Sequence, residues 1–305
     1  MKRIAIIGSG ISGIGAAYAL KDTADITLFE AQDRLGGHAC THVFDYDGHE
    51  TAVDLGFIVY NGLNYPNLIG LFDALGVKTQ ESDMSFAVSD RDGWEWASTA
   101  RGIFAQKRNL FSIPFHRFWR TILKFNDLAR AELAAGRIED TTLGDWLDFH
   151  GFDQAFRCNY ILPMGAAIWS TPEVGMLDYP ARSFFQFFEN HRLMHKERPQ
   201  WRTVTGGSQS YVKAAAAELG DRVRTGTPAI RVFPFGDKIT VITADNRSHV
   251  FDDVILATHS DQALRLVEKG FEDQSFLLRS VHYRPNTIYL HRDPALMPSR
   301  RAAWA

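Results

Sequence analysis

The sequence predicts an α/β fold, and three observations in its first thirty residues support that prediction. RIAIIG, at residues 3–8, is a short apolar run typical of a buried parallel strand. GSGISG, at residues 8–13, leads into IGAAYALKD, whose composition favours a helix. DITLFE, at residues 25–30, reads as a second buried strand and ends on an acid. This order of strand, glycine loop, helix and strand predicts a Rossmann-like dinucleotide-binding domain.

Each glycine of the loop has a predicted physical role. Gly8 allows the tight turn, Gly10 lets the backbone approach a pyrophosphate, and Gly13 lets the helix pack close to the strand. The amides of Ile11 and Ser12, at the start of the helix, would then face the phosphates with the positive end of the helix dipole.

Glu30 is the predicted ribose-binding acid, because it ends the second strand seventeen residues after Gly13. Its carboxylate can accept hydrogen bonds from both ribose hydroxyls, and it would repel a 2′-phosphate. The loop and the acid predict a dinucleotide without distinguishing NAD from FAD.

EAQDRLGGHA, at residues 30–39, resembles the E-A-x-x-R-x-G-G-[RH] run of FAD-dependent oxidases of the amine oxidase type, relatives of phytoene desaturases and protoporphyrinogen oxidases. The resemblance implies FAD as cofactor and places Ala31 beside it. It also implies that Gly36 and Gly37 let the chain pass the pyrophosphate and ribityl arm. His38 stands where many members carry Arg, so it is either a cofactor contact or a hydrogen-bonded loop histidine. Arg34 is expected to brace the loop.

Three later stretches extend the resemblance. Asp54-Leu55-Gly56 resembles the D-x-G that precedes the flavin-facing segment, which implies that Gly56, Phe57, Ile58 and Val59 lie along the isoalloxazine and ribityl chain. The backbone near Ala229 is implied to contact the adenine edge. DDVILATH, at residues 252–259, resembles the strand that completes the flavin sheet, with Thr258 and His259 at its end. Residues 159–212 are similar to a bacterial group of NAD/FAD-binding amine oxidoreductases, and the likeness spans nearly the whole chain.

The resemblance implies two domains. The first is a discontinuous FAD-binding domain of the glutathione-reductase type, at residues 1–78 and 203–262. The second is an inserted, mixed α+β substrate domain, at residues 79–202 and 263–305. Relatives carry a C-terminal Gly-Asp segment that returns to the flavin, and nothing after DDVILATH matches it. The expectation is therefore a substrate domain incomplete at its C-terminus and a flavin pocket open on one side.

Residues 101–126 contain six Lys or Arg, six Phe or Trp, and no Asp or Glu. After Pro114 the apolar residues recur at helical spacing, which predicts a helix with its aromatic face in the core and its basic face in water. The alternative is peripheral contact with an anionic membrane surface through these residues. Phe184, Phe185, Phe187 and Phe188 are expected in the core, or alternatively along an apolar substrate channel, with His191 on the same helix.

Composition bounds the remaining possibilities. A formal net charge of -3 gives no global field that would select a nucleic acid. Cys40 and Cys158 match no metal spacing and suggest no disulfide framework, which predicts a cytoplasmic protein. If residues 101–126 contact a membrane, the protein is expected at the inner face of that membrane, bound peripherally.

The predicted function is a FAD-dependent oxidoreductase that removes a hydride from a C–H or C–N bond of a hydrophobic substrate, with fatty acyl chains, isoprenoids and amines as candidates. No catalytic residue is identified. The alternatives are a dinucleotide-binding remnant without turnover and an NAD-dependent dehydrogenase, although the glycine doublet and the D-x-G would have no role in the latter.

Overall fold

A computed structural model describes residues 1–90, 92–170, 175–267 and 270–304. The chain forms two compact units. Unit 1 comprises Met1–Tyr60, Tyr65–Glu81 and Arg202–Ile288, and unit 2 comprises Asn61–Asn64, Ser82–Trp201 and Tyr289–Ala305.

The secondary structure alternates between strands and helices in unit 1 and is mostly helical in unit 2. The strands are β1 (Arg3–Ile7), β2 (Asp25–Phe29), β3 (Thr41–Tyr46), β4 (His49–Asp54), β5 (Tyr60–Asn61), β6 (Thr79–Ser82), β7 (Ala87–Ser89), β8 (Glu95–Ala97), β9 (Trp201–Val204), β10 (Val223–Arg224), β11 (Ala229–Phe235), β12 (Lys238–Thr243), β13 (Ser248–Phe251) and β14 (Asp253–Leu256). The helices are α1 (Ile11–Leu20), α2 (Pro66–Ala74), α3 (Ile113–Ala134), α4 (Leu143–Phe149), α5 (Gln154–Phe156), α6 (Leu162–Trp169), α7 (Ala181–Asn190), α8 (Gln209–Leu219), α9 (Ser260–Leu266) and α10 (Glu272–Leu278).

A parallel sheet in the order β10-β2-β1-β14 forms the centre of unit 1. Ile7, the last residue of β1, pairs with Phe29 on one side and Leu256 on the other. The central strands are buried on both faces, which is why RIAII and DITLF read as nearly continuous apolar runs. The α/β fold class with a Rossmann-like domain is confirmed.

Two different layers cover this sheet. On one face Ile6 and Leu28 pack with Ala17 of α1 and Leu219 of α8. On the other face Phe29 packs with residues of the antiparallel sheet β11-β12-β13. The parallel sheet thus lies between helices and a second, smaller sheet, and its strand ends remain available at the edges.

Unit 1 extends past the predicted border at residue 262, because α9 and α10 belong to it. Leu266 and Phe271 pack against the apolar cluster that contains Val232 of β11. Val267 also forms a parallel bridge with Val232. Residues 263–267 and 270–288 therefore belong to unit 1, which corrects the assignment of 263–305 to the inserted domain for that part.

Aromatic side chains form the core of unit 2. The helix predicted after Pro114 is α3, and its residues Phe115, Phe118, Ile122 and Phe125 are buried. A hairpin is also present, since β7 pairs with β8 and Gly93 has a positive φ of 75°.

The phenylalanines of α7 pack in or against this same core. Phe184, Phe185 and Phe188 are fully buried in the aromatic cluster, so the channel alternative was wrong for these three. Phe187 is partly buried and stacks on His191 with a centroid distance of 4.0 Å. Within the described ranges, no helix combines the length and apolar character needed to cross a bilayer.

Substitution of Phe125 tests how much the aromatic core of unit 2 contributes to stability. Its ring lies within 6 Å of those of Trp146, Phe152, Phe156 and Phe185. Phe125→Ala is expected to lower the free energy of unfolding by about 3–5 kcal/mol, because it leaves a cavity that fixed rings cannot fill. Urea denaturation followed by tryptophan fluorescence measures this. Phe149→Ala is the matched control at an 85% exposed ring and should change stability by less than about 0.5 kcal/mol.

Candidate functional site

A trough of about 790 Å³ lies in unit 1 at the carboxyl edge of the parallel sheet. Its size falls in the range of small-molecule and cofactor sites. Residues that directly follow β1, β2 and β14 form its floor, as expected where ligands bind to open α/β sheets. The wall is formed by Ile7, Gly8, Ser9, Gly10, Ile11, Ser12, Phe29, Glu30, Ala31, Gln32, Arg34, Gly36, Gly37, His38, Ala39, Phe57, Tyr65, Leu68, Tyr211, Ala229, Ala257, Thr258, His259, Gln262, Arg265 and Leu266.

The glycine loop shows why its positions exclude side chains. Gly8 has a φ of 101°, and a Cβ there would lie 2.8 Å from the Ala257 carbonyl oxygen. A Cβ on Gly13 would lie 1.8 Å from the carbonyl oxygen of Gly8, so α1 rests directly on the turn as predicted. A Cβ on Gly10 would meet nothing within 4 Å. Because Gly10 has no side chain, the space beside it stays free for a ligand phosphate to approach the backbone.

Ser9 is a site residue that the sequence reasoning missed. Its side chain is fully buried, and its N–H donates to Glu30 Oε2 at 3.0 Å. Its hydroxyl donates to the same oxygen. The only available signal was its position between Gly8 and Gly10, where a small hydroxyl residue can turn toward the end of the next strand.

Glu30 lies in the trough with its carboxylate fixed in place. Oε1 accepts the N–H of Gln32 at 2.9 Å while Oε2 is held by Ser9. An ionised carboxylate has about four lone-pair positions; Oε2 already accepts two donors and Oε1 accepts one, so Oε1 retains capacity for a further donor. The arrangement fits a ribose diol presented to an oriented acceptor.

The glycine doublet lies next to the first glycine loop, and its two residues have different structural roles. A Cβ on Gly37 would lie 3.1 Å from the Cα of Gly10, so the two loops touch there. Gly36 has a φ of 108°, and a Cβ there would lie 2.9 Å from Val212 Cγ2. The Gly36 N–H donates to the Ser9 carbonyl at 3.1 Å. Gly36 is therefore required by packing, whereas Gly37 keeps the trough open beside Gly10.

Side chains from both halves of the chain brace this doublet. Arg34 donates to the carbonyls of Gly37 at 3.1 Å and Ala39 at 3.2 Å, which is the bracing role expected of it. Gln209, at the start of α8, donates to the carbonyls of Leu35 at 2.9 Å and Ala39 at 3.1 Å. The carbonyls of Leu35, Gly37 and Ala39 are thus each held by a side chain.

Asp54 joins three distant segments beneath the trough. Its carboxylate accepts the Ser208 N–H at 2.9 Å, the Ser208 hydroxyl at 2.7 Å and the Thr41 hydroxyl at 2.6 Å. Thr41 in turn accepts the N–H of Gln209 at 2.9 Å. The aspartate of the predicted D-x-G is therefore a structural anchor for the loop and for the start of α8.

Only part of the segment after Asp54 reaches the trough. A Cβ on Gly56 would lie 2.3 Å from the His38 carbonyl oxygen, so this glycine serves close backbone packing. Ile58 is 55% exposed, and its carbonyl accepts the Thr203 hydroxyl at 2.8 Å. Gly56, Ile58 and Val59 are not among the residues that line the trough, and their placement along the flavin stays a prediction. Phe57 does line the trough.

The end of the trough away from Glu30 combines apolar and titratable groups. His38 and His259 stack with a centroid distance of 5.6 Å, and Tyr283 stacks on His259 at 4.5 Å. Tyr211 is 2% exposed, and burial, aided by the nearby Asp54 carboxylate, raises the pKa of its hydroxyl to about 12. Tyr211 therefore stays neutral at physiological pH and can act as a donor.

The predicted and observed wall residues overlap closely. Ala31, Ala229, Thr258 and His259 line the trough as the resemblance implied. Gln262 and Arg265 of α9 also line it and were missed, because α9 had been assigned across the domain border. Glu30 is the sole carboxylate among the described wall residues, which also include the guanidinium groups of Arg34 and Arg265. This balance suits a ligand with a negatively charged linker.

Comparison with known proteins identifies similar chains. The sequence is 26% identical to tryptophan 2-monooxygenase of Pseudomonas savastanoi over 92% of this chain and 56% of that protein. It is 26% identical to the flavin-containing amine oxidase of Oncorhynchus mykiss over 84% of this chain and 49% of that protein. The chain thus spans about half the length of these curated relatives.

Solved structures show the same fold. A double mutant of putrescine oxidase superimposes with a TM-score of 0.69 at 23% identity, covering 91% of this chain and 63% of the oxidase. Cyclohexylamine oxidase from Brevibacterium oxydans IH-35A gives a TM-score of 0.70 at 21% identity with the same coverage.

Gly13 and Gly10 form a matched pair for testing the first loop. Gly13→Ala should lower the free energy of unfolding by about 2 kcal/mol or more, because its Cβ would force α1 away from the Gly8 carbonyl. Gly10→Ala should cost less than about 1 kcal/mol, since Gly10 has a φ of -64° and open space beside it. Chemical denaturation measures both, and equal stability of the two variants would contradict the packing argument.

One further match supplies the family. The sequence profile of the flavin-containing amine oxidoreductases matches residues 11–291, which include the glycine doublet and every element from α1 to α10. The match confirms the resemblance seen in the sequence and the flavin cofactor that it implied. This chain belongs to the flavin-containing amine oxidoreductase family.

Proposed function

We propose that this chain carries the FAD-binding part of an oxidoreductase that removes a hydride from a C–N or C–H bond of a hydrophobic substrate. The observation that carries the proposal is the convergence of the glycine loop, Glu30, the glycine doublet and the end of β14 on one trough. When bound, FAD supplies the hydride acceptor. The roles below are those of the chain's own residues.

The adenosine half of the dinucleotide fits the Glu30 end of the trough. Glu30 offers oriented acceptors to the ribose hydroxyls, because Ser9 and Gln32 fix its carboxylate. Ala31 and Ala229 present small side chains there, which leaves room for the adenine edge. A second phosphate on the ribose would meet the Glu30 charge, so the geometry favours FAD over a 2′-phosphorylated cofactor.

The pyrophosphate fits where Gly10 and Gly37 meet. The first N–H groups of α1 have no partners within the helix, and they carry the positive end of its dipole. Gly10 has no side chain to block the approach, and Arg34 fixes the carbonyl of Gly37 away from the phosphates. Arg265 adds a positive charge to the wall.

The remaining end of the trough would orient the flavin ring and exclude water from it. Phe57, Leu68 and Tyr211 form an apolar wall, with the neutral Tyr211 hydroxyl as a potential donor. His38 stands where many relatives place an arginine after the doublet, and it stacks on His259; both imidazoles can offer an N–H donor to the flavin.

The substrate class is the finer part of the proposal. The names of the relatives and solved structures above refer to tryptophan, putrescine and cyclohexylamine, each of which contains an amino group bound to carbon. This supports a C–N bond as the target in a hydrophobic amine. A fatty acyl or other lipid is the second candidate. The alternative is that the chain binds FAD without catalysing a reaction. In that case no substrate would reduce the bound FAD.

Reconstitution with FAD tests the cofactor assignment. The chain should bind FAD and show flavin absorbance near ~450 nm. Glu30→Gln should weaken FAD binding by about tenfold or more, because it removes a charged acceptor from the ribose hydroxyls. Glu50→Gln, at an exposed acid of β4, is the matched control and should bind as the parent does. Melting temperatures of all three proteins separate lost binding from lost folding. Unchanged FAD affinity in Glu30→Gln would contradict the placement of adenosine.

Anaerobic reduction of the bound flavin then tests turnover. A panel of arylalkyl amines, tryptophan, diamines and long-chain fatty acids is mixed with the loaded protein, and bleaching near ~450 nm is followed. Bleaching by a hydrophobic amine or by a fatty acid supports the enzyme and selects between the two substrate classes. If FAD binds and no compound bleaches it, the binding module without turnover is supported instead.

A further inference from the structure

A short segment of unit 2, where a 3-10 turn meets the start of α3, exposes several apolar side chains. We call residues Lys107–Ile113 the 107–113 tip; it contains a 3-10 turn, Lys107–Phe111, and the first residue of α3. Phe111 is 90% exposed, Ile113 78% and Leu110 46%. Three large apolar side chains within four consecutive positions are therefore left in water, although isolated exposed apolar residues are ordinary on protein surfaces.

The tip is a hydrogen-bonded turn. The Ser112 N–H donates to the Asn109 carbonyl at 3.3 Å, and the Ser112 hydroxyl accepts the N–H of Phe115 at 3.3 Å as the cap of α3. The His116 ring nitrogen Nε2 lies 2.9 Å from the Leu110 carbonyl oxygen. The backbone thus holds the apolar side chains outward in a defined arrangement, while Phe115 immediately behind them is buried in the core.

Cations surround the tip. Lys107 and Arg108 lie within it, and Arg117, Arg120 and Lys124 follow on the exposed face of α3 at spacings of three and four residues. At about 1.5 Å of rise per residue, these three cations extend along this face for about 10 Å, from Arg117 to Lys124. Residues 101–126 contain no acid, and within the described parts of the chain these five cations form no ion pair.

The nearest acids do not neutralise this surface. Asp127 follows at the far end of the exposed face of α3. Asp90 lines a cavity that Arg108 also lines, without an ion pair between them. The charge of the region is therefore opposite in sign to the chain's formal net charge of -3.

We propose that the 107–113 tip inserts into the interface of an anionic lipid bilayer while the cationic face of α3 rests on its headgroups. An apolar projection flanked by Lys and Arg matches the composition of a bilayer interface, where acyl chains lie beneath anionic headgroups. A protein partner with an acidic groove is the competing occupant. The lipid surface is favoured because the apolar residues form a small projecting turn rather than a broad face. The proposal is independent of cofactor binding.

Vesicle co-sedimentation of the full 305-residue chain tests it. The vesicles are phosphatidylcholine alone or phosphatidylcholine with about a quarter phosphatidylglycerol, in about 0.15 M salt. The chain should bind the anionic vesicles and bind the neutral ones at least about tenfold more weakly. Phe111→Ser with Ile113→Ser should reduce binding to anionic vesicles by about tenfold or more, because two apolar side chains no longer enter the interface. Arg117→Glu with Arg120→Glu should reduce it at least as much.

Two matched controls lie in unit 1. Phe235→Ser with Phe276→Ser changes two rings that are 70% and 75% exposed, and Arg222→Glu with Arg279→Glu changes two exposed arginines. Both controls should bind anionic vesicles as the parent does. Circular dichroism melts of all variants should coincide within a few degrees, since every substituted residue is exposed.

Three results would overturn the proposal. The first is an absence of vesicle binding by the parent chain. The second is binding that is equal on neutral and anionic vesicles or unaffected by the tip substitutions. The third is concentration-dependent self-association that the tip substitutions abolish while vesicle binding is absent, and this would assign the tip to a protein interface.

Discussion

The trough depends on one close approach, the contact of α1 with the turn that precedes it. Because Gly13 has no side chain, the helix rests on the Gly8 carbonyl, where a Cβ would lie 1.8 Å away. That contact fixes the direction of α1 and the position of Ser9. Ser9 in turn fixes the Glu30 carboxylate and accepts the N–H of Gly36. The first amides of α1, the Glu30 carboxylate and the second glycine loop are therefore positioned by the same turn.

The second loop is held from a different direction. Asp54 binds Thr41 and Ser208, and Gln209 holds the carbonyls of Leu35 and Ala39. The bond between Ser208 and Asp54 and the bond between Gln209 and Leu35 each join residues more than 150 positions apart in the chain. This cross-linking lets a loop rich in glycine keep one shape, since its own residues offer little restriction on backbone conformation.

Local patterns in the sequence predicted the parts of the molecule that local physics controls. The strands β1 and β2, the glycine loop and the alternation of buried and exposed residues in α3 all follow from the spacing of neighbouring residues. Glu30 and Gly37 line the trough, and their contacts with a cofactor stay predictions. Residues whose role depends on distant partners were harder to assign. Gln209 carries no sequence signal for its bonds, and Ser9 carries only its position between Gly8 and Gly10. Gly56 serves close packing against His38. The border at residue 262 was misplaced because Leu266 and Phe271 pack on a sheet that precedes them in the chain.

The Asp54 junction has a consequence for the order in which the chain acquires its form. Thr41 and Asp54 leave the ribosome long before Ser208 and Gln209. Strand β14, which flanks β1, emerges later still. A nascent chain that has grown through β2 therefore contains the first glycine loop, while the bonds from Gln209 to the second loop cannot form until α8 is made. The cradle is completed late in synthesis, and until then its glycine-rich rim is exposed to solvent and to cellular proteases.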